Sequence, residues 1–453
     1  MTMLSTAERG QTRALVVGHD ASRAGAQLLL LHLLTWLKTN SDIHTDVLLI
    51  RGGELVPDFK TLAPTDVLIT EGSGAPTSIF DELVSPFRAR LESSRRRLFR
   101  KLSKLEQVDV LYLNTVASLP LLSPFRARLE PSRRRLFRKL SKLEQVDVLY
   151  LNTVASLPLL PALKRLWARP VICHVHELDM GIETYCGVEM FRASQSYVDQ
   201  YVAVSHAVAD MLVERCDVPP DRIVIIYEAT HLANQGLRRT DCSARRATAD
   251  VLGLPRGAFI VGGCGTLDWR KAPDVFLQVA SACRQFSLNA PLFFVWVGGT
   301  VRSLEHRRLL HDARRLGIAD RVRFVEATKN VQDYFALFDV FLLSSREDPF
   351  PLVGLEAAAH GIPMVCFAQS GGMPEFVGED AGVIVPYLDA TAAASAIVRL
   401  LQSPTAREAL GQRAREKVQT YSIDVLGQAI ATLIKSVAQR GCVPRESPLW
   451  GAR

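Results

Sequence analysis

Short runs of consecutive apolar residues recur along the chain, and amphipathic or polar stretches separate them. Runs of this kind are typical of strands that a parallel sheet buries on both faces. The alternation of such strands with helices therefore predicts an α/β protein with parallel sheets. The predicted strands are residues 14–17, 46–50, 67–70, 170–178, 201–206, 223–226, 259–261, 292–297, 322–325, 340–343, 363–367 and 381–385.

The apolar run over residues 27–37 predicts a buried helix. It is well short of the roughly 20 residues that a membrane-spanning helix needs. Further helices are predicted from about residue 355 and at residues 389–401, 405–420 and 425–439. Residues 237–250 are polar and basic, which predicts a linker.

One segment of 38 residues occurs twice in tandem, as residues 85–122 and 123–160, and the copies differ only at Ser93 and Pro131. Each copy predicts a basic amphipathic helix followed by a strand. Two near-identical copies indicate a recent duplication rather than a solenoid. Since one sheet needs one such unit here, we expect the surplus unit to form an extra helix and strand or an extruded loop.

The composition, 48% hydrophobic and 22% charged residues, is ordinary for a globular protein, and 453 residues suffice for two or three domains. The sequence does not open on a secretory signal pattern, so we expect a cytoplasmic protein. The eight cysteines include no C-x-x-C pair. We therefore expect reduced thiols and no metal site.

The net charge of +7 comes mainly from the repeat, because each copy carries a net charge of +5. No nucleic-acid-binding motif accompanies the basic helices, so nucleic acid is not an expected partner. Two interpretations of these helices stay open. They make peripheral contact with anionic lipid on the inner face of the membrane, or they are solvated helices packed on a sheet.

The stretch from residue 344 to residue 375 holds two strand-to-helix turns, each with polar groups at the carboxyl end of a strand. Open α/β sheets bind ligands at that edge. Asp348 and Glu356 can accept hydrogen bonds from sugar hydroxyls, and the helix start between them favours a phosphate. Gly371 and Gly372 allow a backbone to approach a ligand closely. Either acid alone would equally suit a helix cap or the surface, but the ordered set suits a sugar nucleotide.

This stretch resembles the donor-site signature of the family 4 glycosyltransferases with the GT-B fold. That signature is an acid, seven residues, a second acid, a Gly-Gly turn and a further acid, here Glu375. Asp348 stands at the first position with Glu347 beside it, and either acid can fill that place. Glu356 matches the second position. The resemblance covers about residues 13–84 and 147–440.

The resemblance implies an α/β fold of the GT-B type, with two Rossmann-like domains facing across a cleft. The implied N-terminal acceptor-side domain spans residues 1–235 and contains the duplication. The nucleotide-sugar-binding domain spans residues 236–422. A helix at residues 423–440 returns to the first domain, and residues 441–453 form a tail.

The resemblance also implies roles for single residues. His176, which Glu177 follows, reaches the donor sugar together with Asp348, and Glu356 holds the ribose. We expect Arg270 and Lys271 to neutralise the diphosphate, because two cations suit a leaving group of about −2 charge without a metal. The other donor-binding residues implied are Gly25, Thr266, Phe350, Pro351, Leu352, Gly371, Gly372 and Glu375.

After the strand at residues 223–226 the family usually has Asn-Gly, whereas this chain has Tyr227, Glu228 and Ala229. The role that the asparagine carries in the family therefore has no direct counterpart here.

The implied activity is that of a retaining hexosyltransferase, independent of metal, which moves a sugar from a nucleotide-sugar donor to a hydroxyl of a sugar or lipid-linked acceptor. Its implied setting is cell-surface polysaccharide or glycolipid synthesis. The nucleotide sugar is a substrate, and no cofactor is expected. Two alternatives stay open: a sugar-nucleotide epimerase or phosphorylase of the same fold, and an inactive, membrane-associated homologue.

Overall fold

The computed structural model describes residues 11–69, 146–160, 169–233 and 242–440. Within these residues the strands form two sheets of parallel neighbours. The strands are β1 Arg13–Gly18, β2 His44–Arg51, β3 Thr65–Ile69, β4 Val148–Leu151, β5 Val171–Val175, β6 Gln200–Ala203, β7 Ile223–Ile225, β8 Phe259–Cys264, β9 Leu292–Val297, β10 Val322–Val325, β11 Val340–Leu343, β12 Met364–Phe367 and β13 Gly382–Val385. The first sheet has the order β3-β2-β1-β4-β5-β6-β7, and the second has the order β10-β9-β8-β11-β12-β13.

Helices connect the strands, as parallel neighbours require. The α-helices are α1 Gly25–Asn40, α2 Val56–Leu62, α3 Asp179–Tyr185, α4 Val188–Ser194, α5 His206–Glu214, α6 Cys242–Val251, α7 Pro273–Ala282, α8 Leu304–Arg315, α9 Val331–Phe335, α10 Leu352–Ala359, α11 Met373–Val377, α12 Ala390–Gln402, α13 Pro404–Lys417 and α14 Ile423–Arg440. Searched over the described residues alone, none of these helices combines the length and the apolar character needed to cross a membrane.

The apolar runs are strands because both faces of each sheet are buried. In β1, Leu15 and Val17 belong to one core cluster, and Ala14 and Val16 belong to another. Successive side chains of a strand point to opposite faces, so a strand between two layers of helices must be apolar throughout.

The last helix, α14, packs against α1 of the first sheet. The Trp36 indole donates to Asp424 Oδ1 at 2.9 Å, and Lys435 Nζ lies 2.5 Å from Asp42. A Cβ atom on Gly427 would lie 2.2 Å from the Trp36 ring, so only glycine permits this crossing. These contacts tie the end of the second half of the chain to the first half, while the domain boundaries at residues 235 and 422 stay predictions.

The second copy of the repeat supplies β4, which pairs with β1 on one side and with β5 on the other. The second copy therefore contributes a central strand to the first sheet. The first copy and the basic helix of the second lie outside the described residues, as do the tail and the expected surplus unit.

Several predicted boundaries are wrong. Part of the predicted linker is helix α6, which Arg245 anchors by an ion pair with Asp339 at 3.3 Å. The predicted strand 201–206 ends at Ala203, because Ser205 caps α5 by accepting a hydrogen bond from Val208 N.

The helix with the second acid begins at Leu352, earlier than predicted, so Glu356 is its fifth residue and not part of its first turn. Neither Asp20 nor Ser22, in the turn that precedes α1, caps this helix. Its N-cap is Ala24, without a side-chain bond.

Candidate active site

The site forms where the strand order of the second sheet reverses, between β8 and β11. The loops after these two strands leave the same edge, which is the usual ligand-binding edge. Two hydrogen bonds join the loops: Ser344 Oγ donates to Lys271 O at 3.1 Å, and Arg346 N donates to Arg270 O at 2.8 Å. The backbone positions of both predicted cations are therefore fixed by the end of β11.

Arg270 and Lys271 share the carboxylate of Asp348. Lys271 Nζ lies 2.5 Å from Asp348 Oδ2, and Arg270 Nη1 lies 3.4 Å from Oδ1. Ser345 Oγ donates to Oδ2 at 3.0 Å. Because Asp348 is only 3% exposed, it holds the two cations side by side. Its oxygens thus have partners other than the sugar that the sequence predicted.

Arg346 braces the loop that carries the two cations. Its guanidinium makes a two-pronged ion pair with Asp274, at 2.9 and 2.6 Å, and lies over the exposed Trp269 ring. Paired hydrogen bonds of this kind restrain orientation as well as position. Arg346 therefore ties the loop between β8 and α7, and the start of α7, to the loop that follows β11.

Thr266 stabilises the same loop, and its hydroxyl is used there rather than offered to a donor. That hydroxyl donates to Asp268, whose other carboxylate oxygen accepts the Lys271 N–H at 2.9 Å. Gly265 has φ +151°, and a Cβ there would lie 3.0 Å from Lys271 Cγ. The glycine thus lets the Lys271 side chain lie across the turn towards Asp348.

Gly371 and Gly372 do permit a close approach, but the atoms that approach them belong to the protein itself and not to a ligand. A Cβ on Gly371, which has φ +125°, would lie 1.8 Å from Asp348 O. A Cβ on Gly372 would lie 2.4 Å from Pro349 O and 2.5 Å from Ser205 Cβ. The predicted Gly-Gly turn therefore holds the backbone of the Asp348 loop in place.

Glu347, the other candidate for the first acid, reaches the N-terminus of α3 in the first domain. Its carboxylate accepts the Met180 N–H at 3.1 Å and the Gly181 N–H at 3.3 Å. Burial raises the pKa of Glu347, although these bonds and Arg270 act in the opposite direction. The two neighbouring acids therefore make different contacts: Glu347 binds backbone N–H groups across the cleft, and Asp348 binds the two cations.

Glu375 makes a second contact of the same kind, with the N-terminus of α5. Its oxygens accept the His206 N–H at 3.0 Å and the Ala207 N–H at 2.9 Å, and the Tyr227 hydroxyl donates to it at 3.0 Å. A carboxylate is favoured at a helix N-terminus because the N–H groups there are unpaired. Glu375, predicted to bind the donor, is thus already engaged between the two halves of the chain.

Phe350, Pro351 and Leu352 lie where the two halves meet. Phe350 is 1% exposed and packs against Tyr227, with ring centroids 5.1 Å apart. Pro351 is the N-cap of α10 and has no N–H, so only Phe350 and Leu352 can offer one to a ligand. A Cβ on Gly25, at the start of α1, would lie 3.9 Å from Leu352, which brings two helix N-termini together.

Glu356 differs from the other acids of the site. Within the described residues its carboxylate has no hydrogen bond or ion pair, although Asp348, Glu347 and Glu375 all have partners. Burial raises the pKa of Glu356 to about 7. A desolvated carboxylate without partners is poised to accept hydrogen bonds from a ligand.

His176 lies just past the end of β5, which stops at Val175 and not at residue 178 as predicted. The acid that follows it, Glu177, accepts the His176 backbone N–H at 2.9 Å. The ring instead meets Glu228, with Nδ1 and Oε1 2.9 Å apart. The ring of His174, two residues earlier in the chain, lies on the same side because side chains alternate along a strand, and its centroid is 4.1 Å from that of His176.

Two family models match the chain. The model described as Glycosyltransferase Family 4 matches residues 82–233, and the model described as Glycosyl transferases group 1 matches residues 258–403. This chain belongs to the group 1 glycosyltransferases of family 4. The family predicted from the residues between 344 and 375 is thus confirmed.

Two curated relatives of this chain share one description. The "D-inositol 3-phosphate glycosyltransferase" of Saccharomonospora viridis is 34% identical over 229 residues, which are 48% of this chain and 53% of that protein. The protein of the same description from Salinispora tropica is 32% identical over 252 residues, 51% and 52% of the two chains. This chain thus spans about half the length of these relatives.

Solved structures share the fold. HepE of Anabaena in complex with UDP and glucose superposes with a TM-score of 0.70 at 17% identity, covering 94% of this chain and 100% of that chain. Sucrose-phosphate synthase of Thermosynechococcus elongatus gives a TM-score of 0.66 at 19% identity, covering 95% and 100%. The predicted GT-B fold with two Rossmann-like domains is confirmed.

Sequence reasoning missed two features of this site. It did not identify Glu228 as the partner of the His176 ring, although Tyr227 and Glu228 in place of Asn-Gly marked the position as unusual. It also missed that Glu347 and Glu375 bind helix N-termini of the first domain. No local pattern reports such contacts, because the partners lie about 170 residues apart.

Proposed function

We propose that this protein transfers a sugar from a nucleotide-sugar donor to an acceptor hydroxyl with retention of configuration, without a metal and without a cofactor. The observation that carries the proposal is the pairing of Arg270 and Lys271 on buried Asp348, together with a Glu356 carboxylate that has no partner in the described residues. Burial raises the pKa of the Cys264 thiol, and Glu356 and Lys271 both act on that same pKa. The pairing offers donors to a diphosphate, and the carboxylate offers acceptors to a polyol. A nucleotide sugar contains both groups.

The two cations would stabilise the departing diphosphate. Asp348 engages one donor of the Lys271 ammonium, which has three, and the Arg270 guanidinium is 37% exposed. The three groups together carry one net positive charge, held in place before the donor arrives. Preorganised charge aimed at a developing anion is an effective contribution to catalysis.

Glu356 would hold the ribose. Two neighbouring hydroxyls can donate to one ionised carboxylate, which suits a half-buried group without other partners in the described residues. His176 would contact the donor sugar from the first domain, through the ring nitrogen that Glu228 does not use. Asp348 would act on the sugar indirectly, by setting the place of the two cations.

The transfer would break the bond from the sugar's anomeric carbon to the phosphate oxygen. The acceptor oxygen would form the new bond on the same face, and its proton would pass to the leaving phosphate. This course needs no protein nucleophile. The protein therefore has to supply charge and to orient the substrates, rather than to form a covalent bond with the sugar.

The acceptor would bind on the side of the first domain. A cavity of about 750 Å³ lies beside the turn between β1 and α1, and its lining includes Asp20, Ser22, Arg51 and Lys60. Such a mixed lining suits a hydroxylated or phosphorylated acceptor. The relatives' description makes D-inositol 3-phosphate one acceptor to test. Lipid-linked sugars are another, and for these the basic repeat would contact the inner face of a membrane.

A donor screen followed by a transfer assay tests the proposal. We expect a nucleotide sugar such as UDP-glucose to raise the melting temperature, and the product anomer to match the donor anomer by NMR. Donor consumption without an acceptor would instead indicate an epimerase. Failure to bind any nucleotide sugar, with vesicle binding retained, would indicate an inactive homologue.

A further inference from the structure

The chain replaces a family element with a buried acid that contacts the predicted sugar-binding histidine. Glu228 follows β7, two strands away from β5, and its side chain is 8% exposed. The His176 side chain is 5% exposed, and its Nδ1 lies 2.9 Å from Glu228 Oε1. Two polar side chains so deeply buried are fixed in one arrangement by their mutual bond.

The partner identifies which ring nitrogen bears the proton. An ionised carboxylate only accepts hydrogen bonds, so Nδ1 of His176 must donate. The other nitrogen, Nε2, is buried and has no partner among the described residues. A buried polar atom without a partner costs free energy, which a hydroxyl of a bound ligand would recover.

Two further titratable groups lie next to the His176 ring, namely His174 and Glu177. The His174 ring packs against the His176 ring, and its Nδ1 lies 2.6 Å from the hydroxyl of buried Tyr150. Burial, and next the neighbouring His176, hold the pKa of His174 well below its usual value, so His174 stays neutral. Glu177 is engaged with the backbone of His176.

We propose that Glu228 is a positioning residue for glycosyl transfer, which holds the His176 imidazole with Nδ1 protonated and Nε2 presented to a hydroxyl of the donor sugar. This inference rests on the proposed function, because it assumes that His176 contacts the donor. It divides the work of two acids: Glu177 fixes the backbone at the end of β5, and Glu228 fixes the ring.

Nuclear magnetic resonance of the ring nitrogens tests the positioning directly. Long-range proton–nitrogen spectra of the full chain should show His176 with a protonated Nδ1, the signal being assigned by its absence in His176→Asn. Glu228→Ala should move the proton towards Nε2, the form that a free imidazole prefers, and Glu214→Ala, at an exposed acid of α5, should not. An unchanged His176 signal in Glu228→Ala would overturn the inference.

Kinetics of single and double variants test the consequence. We expect Glu228→Ala to lower kcat by roughly 10²-fold, as loss of orientation does, with the affinity for UDP-glucose changed less than about threefold. In a His176→Ala background, Glu228→Ala should leave kcat almost unchanged, because Glu228 acts only through His176. Glu228→Gln should recover part of kcat, since its amide oxygen can still accept from Nδ1.

The outcomes separate the inference from the proposed function. If Glu228→Ala costs as much without His176 as with it, Glu228 is structural and the inference fails, while the glycosyl transfer stands. If no nucleotide sugar is turned over, the proposed function fails, and the spectra of the ring nitrogens still decide whether Glu228 sets the tautomer.

Discussion

Lys271 Nζ lies 2.5 Å from Asp348 Oδ2, so the predicted phosphate-binding cation and the predicted sugar-binding acid form one pair. The pair joins the loops after β8 and β11 at the point where the strand order reverses. Substitution of either residue leaves the charge of the other without its partner, and a buried charge without a partner lowers stability. Substitutions at the two positions therefore need to be interpreted together.

Substitution of Lys271 should affect turnover strongly. We expect Lys271→Ala to lower kcat by about 10²-fold to 10³-fold, as the loss of one preorganised donor does elsewhere. Lys329→Ala, at an exposed lysine of the same domain, should leave kcat unchanged. Equal rates for Lys271→Ala and the unaltered protein in a transfer assay would remove Lys271 from the mechanism.

Substitution of Asp348 tests whether its carboxylate orders the two cations or binds the donor sugar. If Asp348 orders the cations, Asp348→Asn weakens binding of UDP and of UDP-glucose to the same extent. If it holds the sugar, only UDP-glucose binding weakens. We expect the first result by titration calorimetry. Since Arg270 and Lys271 are partly exposed, we expect a loss of folding stability of about 1–3 kcal/mol, below the range for fully buried pairs.

The raised pKa of Glu356 predicts how donor binding depends on pH. With the pKa raised to about 7 by burial, most of the carboxyl is protonated at pH 6 and most is ionised at pH 8. Only the ionised form accepts hydrogen bonds from both ribose hydroxyls. The affinity for UDP-glucose should therefore rise roughly tenfold from pH 6 to pH 8. Glu356→Gln should flatten this dependence, and an unchanged slope in that variant would exclude Glu356 as its cause.

The same pKa shift predicts a dependence of stability on pH. The folded carboxyl binds its proton more tightly than the unfolded one, whose pKa is about 4.5. Between these two pKa values the folded state holds more protons, so the contribution of Glu356 to stability is lost as pH rises from about 4.5 to 7. Urea titrations across this range should show Glu356→Gln losing less stability than the unaltered protein.

The close approach at Gly371 predicts a large effect of one methyl group. Gly371→Ala places a Cβ 1.8 Å from Asp348 O at a φ of +125°, and we expect a loss of roughly 3 kcal/mol or more. Gly253→Ala is the matched control, because φ is +62° there and nothing lies within 4 Å. Its cost should be about 1–2 kcal/mol, from backbone strain alone. Similar urea midpoints for the two variants would contradict this account.

The contacts of Glu347 and Glu375 with helix N-termini predict that these acids hold the two domains together. We expect Glu347→Ala and Glu375→Ala each to cost about 0.5–2 kcal/mol, the range for N-cap losses. The double variant should also increase the radius of gyration in small-angle X-ray scattering. Tyr227→Phe, which removes one of three donors to Glu375, should have a smaller effect. An unchanged radius in the double variant would show that other contacts suffice.

The sequence alone determined the fold class, the family and most strands. It could do so because strands buried on both faces must be apolar throughout, and because the acids and glycines of the donor loop are close together in the chain.

Only the tertiary structure decided what each polar group contacts. Asp348 meets Lys271 from 77 positions away, and His176 meets Glu228 from 52 positions away. Glycines 371 and 372 serve the protein's own backbone. Such pairings arise when parallel strands bring their carboxyl ends to one edge, and local residue patterns carry no information about which loops then touch. The physical reason is that a carboxylate is satisfied by whichever donor the fold places within about 3 Å, whatever its distance along the chain.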